Sequence, residues 1–283
     1  LFDRSDIKSF FDLDLTPVIH DMKTAQEFSR AAQHREKPIK VHVKVDTGMG
    51  RMGLEDPADM AKIAGLPGLE ITGLMSHLSD ADLADPECSL RQVERFQKSI
   101  EDFYRSKNVL RHISNSAAVF ACPEAHMDAV RPGLSLYGIS PFEDKPDGVE
   151  ALRPVLSVSA RILTIRRIPK GGTISYGRTY TAERDMLAAV LATGYADGYS
   201  RALSNQSHVI VRGRKVPVTG RVCMDLTMAD VTGVEGVSES DEAVLLGSAG
   251  SEAITAWELA RGAGTIPYEI LTSLGTGAMR VYQ

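Results

Sequence analysis

Short apolar runs alternate with amphipathic helical stretches through residues 1–140, and this alternation limits the fold more than any single motif does. Five runs read as strands: Leu15–His20, Lys40–Val45, Glu70–His77, Leu110–Ser114 and Met127–Tyr137. Between them, Asp21–Gln33 carries a helical period. Asp56 before Pro57, closed by Gly65, has an N-cap, a first-turn proline and a terminal glycine. A further helix is expected from Ser89, with Gln92 completing a capping box and an apolar stripe of Leu90, Val93, Phe96, Ile100, Phe103 and Tyr104. Parallel strands need helix-length crossovers, so the pattern predicts a parallel sheet of the α/β type.

Ser140–Pro154 is rich in proline, glycine and acids and reads as a linker. Beyond it the period changes: Leu156, Val158, Ala160 and Ile162 alternate with polar residues, and VIVRGRKVPV (209–218) reads as a hairpin turning near Gly213. One helix is expected near Ala256–Gly262. The chain therefore divides into an α/β part, residues 1–150, and a mostly β part, residues 151–283.

The composition is that of a globular protein, with 43% apolar and 24% charged residues. A net charge of −5 gives no electrostatic case for nucleic acid or an anionic membrane. No stretch has the length and apolarity of a membrane span. Cys88, Cys122 and Cys223 are few, odd in number and widely spaced, which suits a reducing compartment, and the chain reads as cytoplasmic.

The stretch VHVKVDTGMGRMG (41–53) sharpens the reading. Val41, Val43 and Val45 share one strand face, and His42, Lys44 and Asp46 the other. In an α/β barrel the valines pack on the outer helices and the polar face points inward, with chemistry at the C-terminal strand ends. Asp46 and Arg51 fall at that rim. So do His77 after the next strand, His112, Asn115 and Ser116 after the one following, and Arg131 and Gly133 on the last. Two chemistries suit such a mouth. His42, Lys44, His77 and His112 could hold metal ions in a hydrolase, although obvious carboxylate ligands are lacking. Alternatively Ser116 and the backbone near Gly133 cradle a phosphate while Arg131 and His77 address an aromatic cofactor ring.

The ordered set KVDTGMGRMG, GLMSHLSDAD, HISNSAA, VRPGLSLYG, ISYGRTY, GYADGY, GRVCMD and TIPYE resembles the alanine racemases, fold-type III enzymes using pyridoxal 5'-phosphate. The resemblance implies interconversion of L- and D-alanine, supplying D-alanine for peptidoglycan, by a homodimer whose active sites are shared between subunits. It assigns Arg131 to the pyridine nitrogen of the cofactor, and His112, Asn115, Ser116, Gly133, Leu134 and Tyr268 to cofactor binding. Tyr176 becomes the base on one substrate face, with His77 and Arg131 as the groups that lower its pKa from near ~10. Arg51 and the Met224 backbone meet the substrate carboxylate, Tyr195 and Tyr268 narrow the pocket towards a methyl group, and Lys44 is a candidate for carbamylation that would hold Arg51. A related racemase acting on serine, or a non-catalytic fragment that binds a partner or cofactor, is the alternative.

One family element has no counterpart. The Schiff-base lysine, which is also the base on the other substrate face, stands in a K-A-N-A-Y-G-type motif, and none of the eleven lysines here has that context. The expected fold is accordingly an α/β barrel of the TIM type lacking about three N-terminal strands, followed by the β-rich domain. Residues 1–283 alone are expected to be inactive.

Overall fold

A computed structural model describes residues 4–56, 58–83, 85–106, 109–143 and 152–282. Pro57 and residues 144–151, the middle of the expected linker, lie outside the described residues. The chain forms two compact units, Leu1–Leu136 with Ser140–Leu152, and Tyr137–Ile139 with Arg153–Gln283.

The first unit runs α1 (Ile7–Asp12), β1 (Val18–Ile19), α2 (Met22–His34), β2 (Ile39–Lys44), α3 (Ala58–Ala64), β3 (Leu69–Met75), α4 (Glu87–Ser106), β4 (Leu110–His112) and α5 (Ser116–Ala121). Its four strands pair in parallel in chain order, β1-β2-β3-β4. Val41, Val43 and Val45 are buried in one apolar core with Phe28 of α2, Ile63 of α3 and Phe96 of α4. The valine face of β2 thus lies against the helices, as its period demands. Asp21 caps α2, its carboxylate accepting from the Thr24 amide at 2.6 Å, a contact of about 1 kcal/mol.

Two expectations fail. Met127–Tyr137 is not a fifth strand. It runs beside β4 through two bonds, Asp128 N–H to Arg111 O (3.2 Å) and Arg131 N–H to Ser114 O (3.0 Å), and then becomes a 3₁₀ turn at Leu134–Tyr137. Pro132 has no N–H for a ladder, and the segment bends where Gly133 follows it. The capping box is also absent. Helix α4 begins at Glu87, so Ser89 lies inside it, and the Asp85 carboxylate accepts from the Glu87 amide instead.

The second unit contains β5 (Val158–Ile168), β6 (Thr173–Ile174), β7 (Tyr180–Thr181), β8 (Met186–Leu191), β9 (His208–Val211), β10 (Arg214–Pro217), β11 (Thr227–Asp230), β12 (Glu242–Ala249), β13 (Glu252–Ile254), α6 (Ala256–Ala263) and α7 (Pro267–Ser273). The main sheet is antiparallel in the order β10-β9-β12-β5-β8-β11, with β13 on β12. The hairpin β9–β10 turns through Arg212 and Gly213, both at positive φ (50° and 74°). That two-residue geometry matches the twist of the paired strands, and glycine adopts it at no steric cost.

Candidate active site

The strand end of β2 explains the inward polar face. The Asp46 carboxylate accepts the amides of Gly48 (2.9 Å), Met49 (2.9 Å), Gly50 (3.2 Å) and Arg51 (3.2 Å). Burial opposes its charge, but the four amides outweigh burial and hold the carboxyl below the usual range. Asp46 therefore fixes the backbone turn that carries Arg51. Lys44 behaves differently. It is buried, and burial first, then the positive charge of Arg51, lower its pKa. Two cations side by side repel, so an unmodified Lys44 does not brace Arg51.

At the ends of β3 and β4 sits a directional chain of donors. Arg131 Nη1 donates to His112 Nδ1 at 2.6 Å, and His112 Nε2 lies 2.9 Å from His42 Nδ1. A guanidinium only donates. The His112 proton must therefore be on Nε2 and pass its bond to a bare His42 Nδ1. Arg131 Nη2 donates to the carbonyls of Ser76 (2.8 Å) and Ile113 (3.3 Å), and lies 3.4 Å from His77 Nδ1. Burial, and then the Arg131 charge, push His77 and His112 down to about 4. Both imidazoles are neutral near pH 7, so of His77 and Arg131 only the arginine carries charge there.

Residues absent from the sequence assignment hold this cluster. Gln92 of α4, which is buried, accepts from the Ser79 amide (2.9 Å) and hydroxyl (3.0 Å) and donates to the His77 carbonyl (3.3 Å). Thr47 and Ser76 share a hydroxyl contact of 2.8 Å, and Ser76 donates to the Val45 carbonyl at 2.8 Å. The loops bearing Arg51 and His77 are thereby joined. The signal was a glutamine on the apolar side of an amphipathic helix, a position that demands partners.

Ser116 begins α5, and its hydroxyl oxygen accepts from the amides of Gly133 (2.7 Å) and Ser135 (3.3 Å). The hydroxyl proton is left for another acceptor. Asn115 caps the same helix, accepting from the Ala118 amide at 3.0 Å. Its oxygen is therefore engaged in the fold, and the Gly133 amide is engaged by Ser116, whereas the Leu134 amide has no acceptor among the described residues.

In the second unit, Tyr176 follows β6, Tyr195 lies in the GYADGY turn, Met224 precedes β11, and Tyr268 sits in the first turn of α7. The Tyr195 amide donates to the Cys223 carbonyl and the Ala196 amide to the Met224 carbonyl, both at 3.0 Å, so two of these loops are stitched together. The Gly275 amide donates to the Asp197 carbonyl at 2.9 Å, joining the GYADGY turn to the segment after α7. The second tyrosine of that motif has a different role: Tyr199 is buried, donates to Ser207 at 3.2 Å, and is pushed up to about 12 by burial.

Residues 1–141 match the family model described as alanine racemase, N-terminal domain, and residues 155–282 the alanine racemase C-terminal domain. An alanine racemase of Thermodesulfovibrio yellowstonii is 48% identical over 286 residues, covering 100% of this chain and 75% of that protein. The chain belongs to the alanine racemase family. The solved alanine racemase of Clostridium difficile 630 superposes with a TM-score of 0.91 at 29% identity, covering 100% of this chain and 74% of that one. The Bartonella henselae alanine racemase, solved with covalently bound pyridoxal phosphate, gives 0.86 at 27% identity, covering 100% and 77%. The alanine racemase fold, a barrel domain followed by a mostly β domain, is thus the fold of this chain.

The His112 lone pair is taken by Arg131, whose fixed charge repels a cation, and no group of three or more His, Cys, Asp or Glu side chains placed to hold a metal ion occurs among the described residues. The low imidazole pKa values carry a consequence for this alanine racemase family member. Between about 6.5 and about 4 the unfolded chain takes up protons at His77 and His112 that the folded chain refuses. Stability therefore rises with pH across that interval and is lost as pH falls through it. Melting temperatures measured from pH 7.5 to 4 are expected to decline across the interval, with a shallower slope in His77→Asn. A flat profile would show that these imidazoles titrate normally.

Proposed function

We propose that this protein interconverts L-alanine and D-alanine with pyridoxal 5'-phosphate, using Tyr176 as the base on one face of the substrate. The observation that carries the reading is Arg131. Its Nη atoms are committed to His112 and to two backbone carbonyls, while Nε has no acceptor among the described residues. That arrangement suits a pyridine nitrogen, because a permanently charged donor does not readily give up its proton and so keeps the ring nitrogen unprotonated. Ser116, with its free hydroxyl proton, and the Leu134 amide suit the phosphate, with Gly133, Asn115 and His112 shaping the cradle and Tyr268 of the partner subunit contributing to it. An added Cβ at Gly133 would meet nothing nearer than Ser116 Oγ at 4.0 Å, so the cradle has room. When bound, the cofactor supplies an electron-withdrawing ring that acidifies the α-proton of the amino acid it carries.

Around that proton each residue has a task. Tyr176 Oη moves it on one face, and His77, neutral and bonded to Arg131, orients the path by which the phenol exchanges its own proton. Arg51 and the Met224 amide, which has no acceptor among the described residues, hold the substrate carboxylate. Tyr195 and Tyr268 limit the side chain to about a methyl group. Lys44, buried and with its pKa lowered by burial and then by the Arg51 charge, gives up its proton more readily than an exposed lysine and is suited to take up carbon dioxide. The carbamate would replace repulsion of Arg51 with attraction.

The second-domain residues favour a homodimer in which each serves its partner's barrel. Tyr176 (70%), Met224 (54%), Tyr268 (46%) and Tyr195 (43%) are exposed in the single chain and so remain open to a partner's barrel. No helix among the described residues is long and apolar enough to cross a membrane. Chiral chromatography of the holoenzyme acting on L-alanine and, separately, L-serine tests the reading. D-Alanine should form faster than D-serine. Serine turnover without alanine turnover would replace the substrate, and no turnover of either would reject the function.

A further inference from the structure

The residue before Tyr176 has an unusual backbone. Ser175 lies at φ 65°, ψ −176°, a region that is essentially glycine's. Gly177 and Arg178 also have positive φ (68° and 51°), so Tyr176 is set in a tightly folded loop. Such a conformation persists only where its surroundings over-determine it, and here they do. Ser175 Oγ donates to the Arg221 carbonyl at 2.6 Å. Cys223 Sγ lies 3.4 Å from Ser175 Oγ and donates to the same Arg221 carbonyl at 3.6 Å, so both side chains fasten this corner to one backbone oxygen. The backbone at Gly220 runs directly against this corner: an added Cβ there would meet Ser175 Cβ at 2.8 Å and Ile174 Cγ2 at 2.9 Å. Asn205 closes the far side, accepting from the Gly220 amide at 2.5 Å and donating to Thr179 Oγ1 at 3.0 Å.

We propose that Ser175 is a positioning residue for Tyr176: its hydroxyl, tied to the Arg221 carbonyl, holds the peptide where an L-residue otherwise does not stay, and so sets where the phenol stands relative to the Met224 loop. This rests on the reading of Tyr176 as a base. The hydroxyl and the strain make separable demands. Ser175→Ala keeps the Cβ that the conformation penalises and removes the bond that holds it, so the loop relaxes. Ser175→Gly removes the same bond together with the penalty, so the loop stays.

The test uses both variants of the holoenzyme and follows α-proton exchange of each alanine enantiomer in D2O. Misplacing the phenol by about 1 Å should slow exchange of the enantiomer that uses Tyr176 by about 10²-fold in Ser175→Ala. Exchange of the other enantiomer should change little, an asymmetry that general loss of structure does not produce. Ser175→Gly should recover most of the loss. Crystal structures of the cofactor-free variants give a readout independent of turnover, with the Tyr176 ring displaced in Ser175→Ala and kept in Ser175→Gly. An undisplaced ring in Ser175→Ala, or equal displacement in both variants, overturns the proposal. Equal slowing of both enantiomers overturns it as well. Absence of exchange in the unsubstituted holoenzyme would instead reject the racemase reading, and the ring positions would still decide the role of Ser175.

Discussion

Tyr176→Phe is expected to lower racemisation in both directions by about 10³-fold, with the cofactor still bound. The size follows from loss of a general acid–base group, which contributes roughly 10²–10⁴-fold. Both directions suffer because inversion at one carbon needs a group on each face, one taking the proton and the other returning it. Tyr176 is 70% exposed and its loop is held by Ser175, Asn205 and Gly220 rather than by the phenol. Deleting the hydroxyl therefore leaves the fold intact. Steady-state rates from each enantiomer, with cofactor absorbance measured alongside, check the result. Near-normal turnover would remove Tyr176 from the mechanism.

Arg131→Glu is expected to slow racemisation by about 10²–10³-fold, the range for losing a preorganised donor, and to open a side reaction. A carboxyl group can share a proton with the pyridine nitrogen, where the guanidinium could not. A protonated ring is a stronger electron sink, so transamination to pyruvate should appear. The imidazoles change too. The Arg131 charge is, after burial, the main cause that holds His77 and His112 down to about 4. Replacing it with a negative charge should raise both towards or above their ordinary values and move the acid limb of the pH–rate profile upward. A pyruvate assay and the pH profile together check this. Unchanged reaction specificity would mean that Arg131 does not address the ring.

The sequence carried much of this architecture because local period and local chemistry agreed in the relevant segments. Val41, Val43 and Val45 alternate with polar residues, and that face is buried as the alternation requires. Asp21 before α2 and Gly213 in the β9–β10 turn are residues with one strong local use each, and the structure uses them so. The failures occur where a residue's partner is distant. Gln92 read as a local cap for Ser89, whereas it ties down a loop 13 residues away at Ser79. Met127–Tyr137 has strand-forming residues, but Pro132 has no N–H to extend the two bonds that hold the segment beside the end of β4. Asp46 binding four successive amides was not visible in a strand pattern, which reports side-chain faces and not where a carboxylate bonds. The pairing of His42 with His112, 70 residues apart, has no sequence signature. Ser175 was missed for another reason: serine does not announce positive φ as glycine does, and only its tie to Arg221 makes the conformation tenable.

The central claim is that Tyr176 serves one face of the substrate and a different group serves the other. α-Proton exchange by the Tyr176→Phe holoenzyme in D2O, followed by NMR for L-alanine and D-alanine separately, tests it most directly. The account predicts that one enantiomer still takes up deuterium at Cα without inverting, while the other keeps its protium. Deuterium uptake by both enantiomers at comparable rates would contradict it.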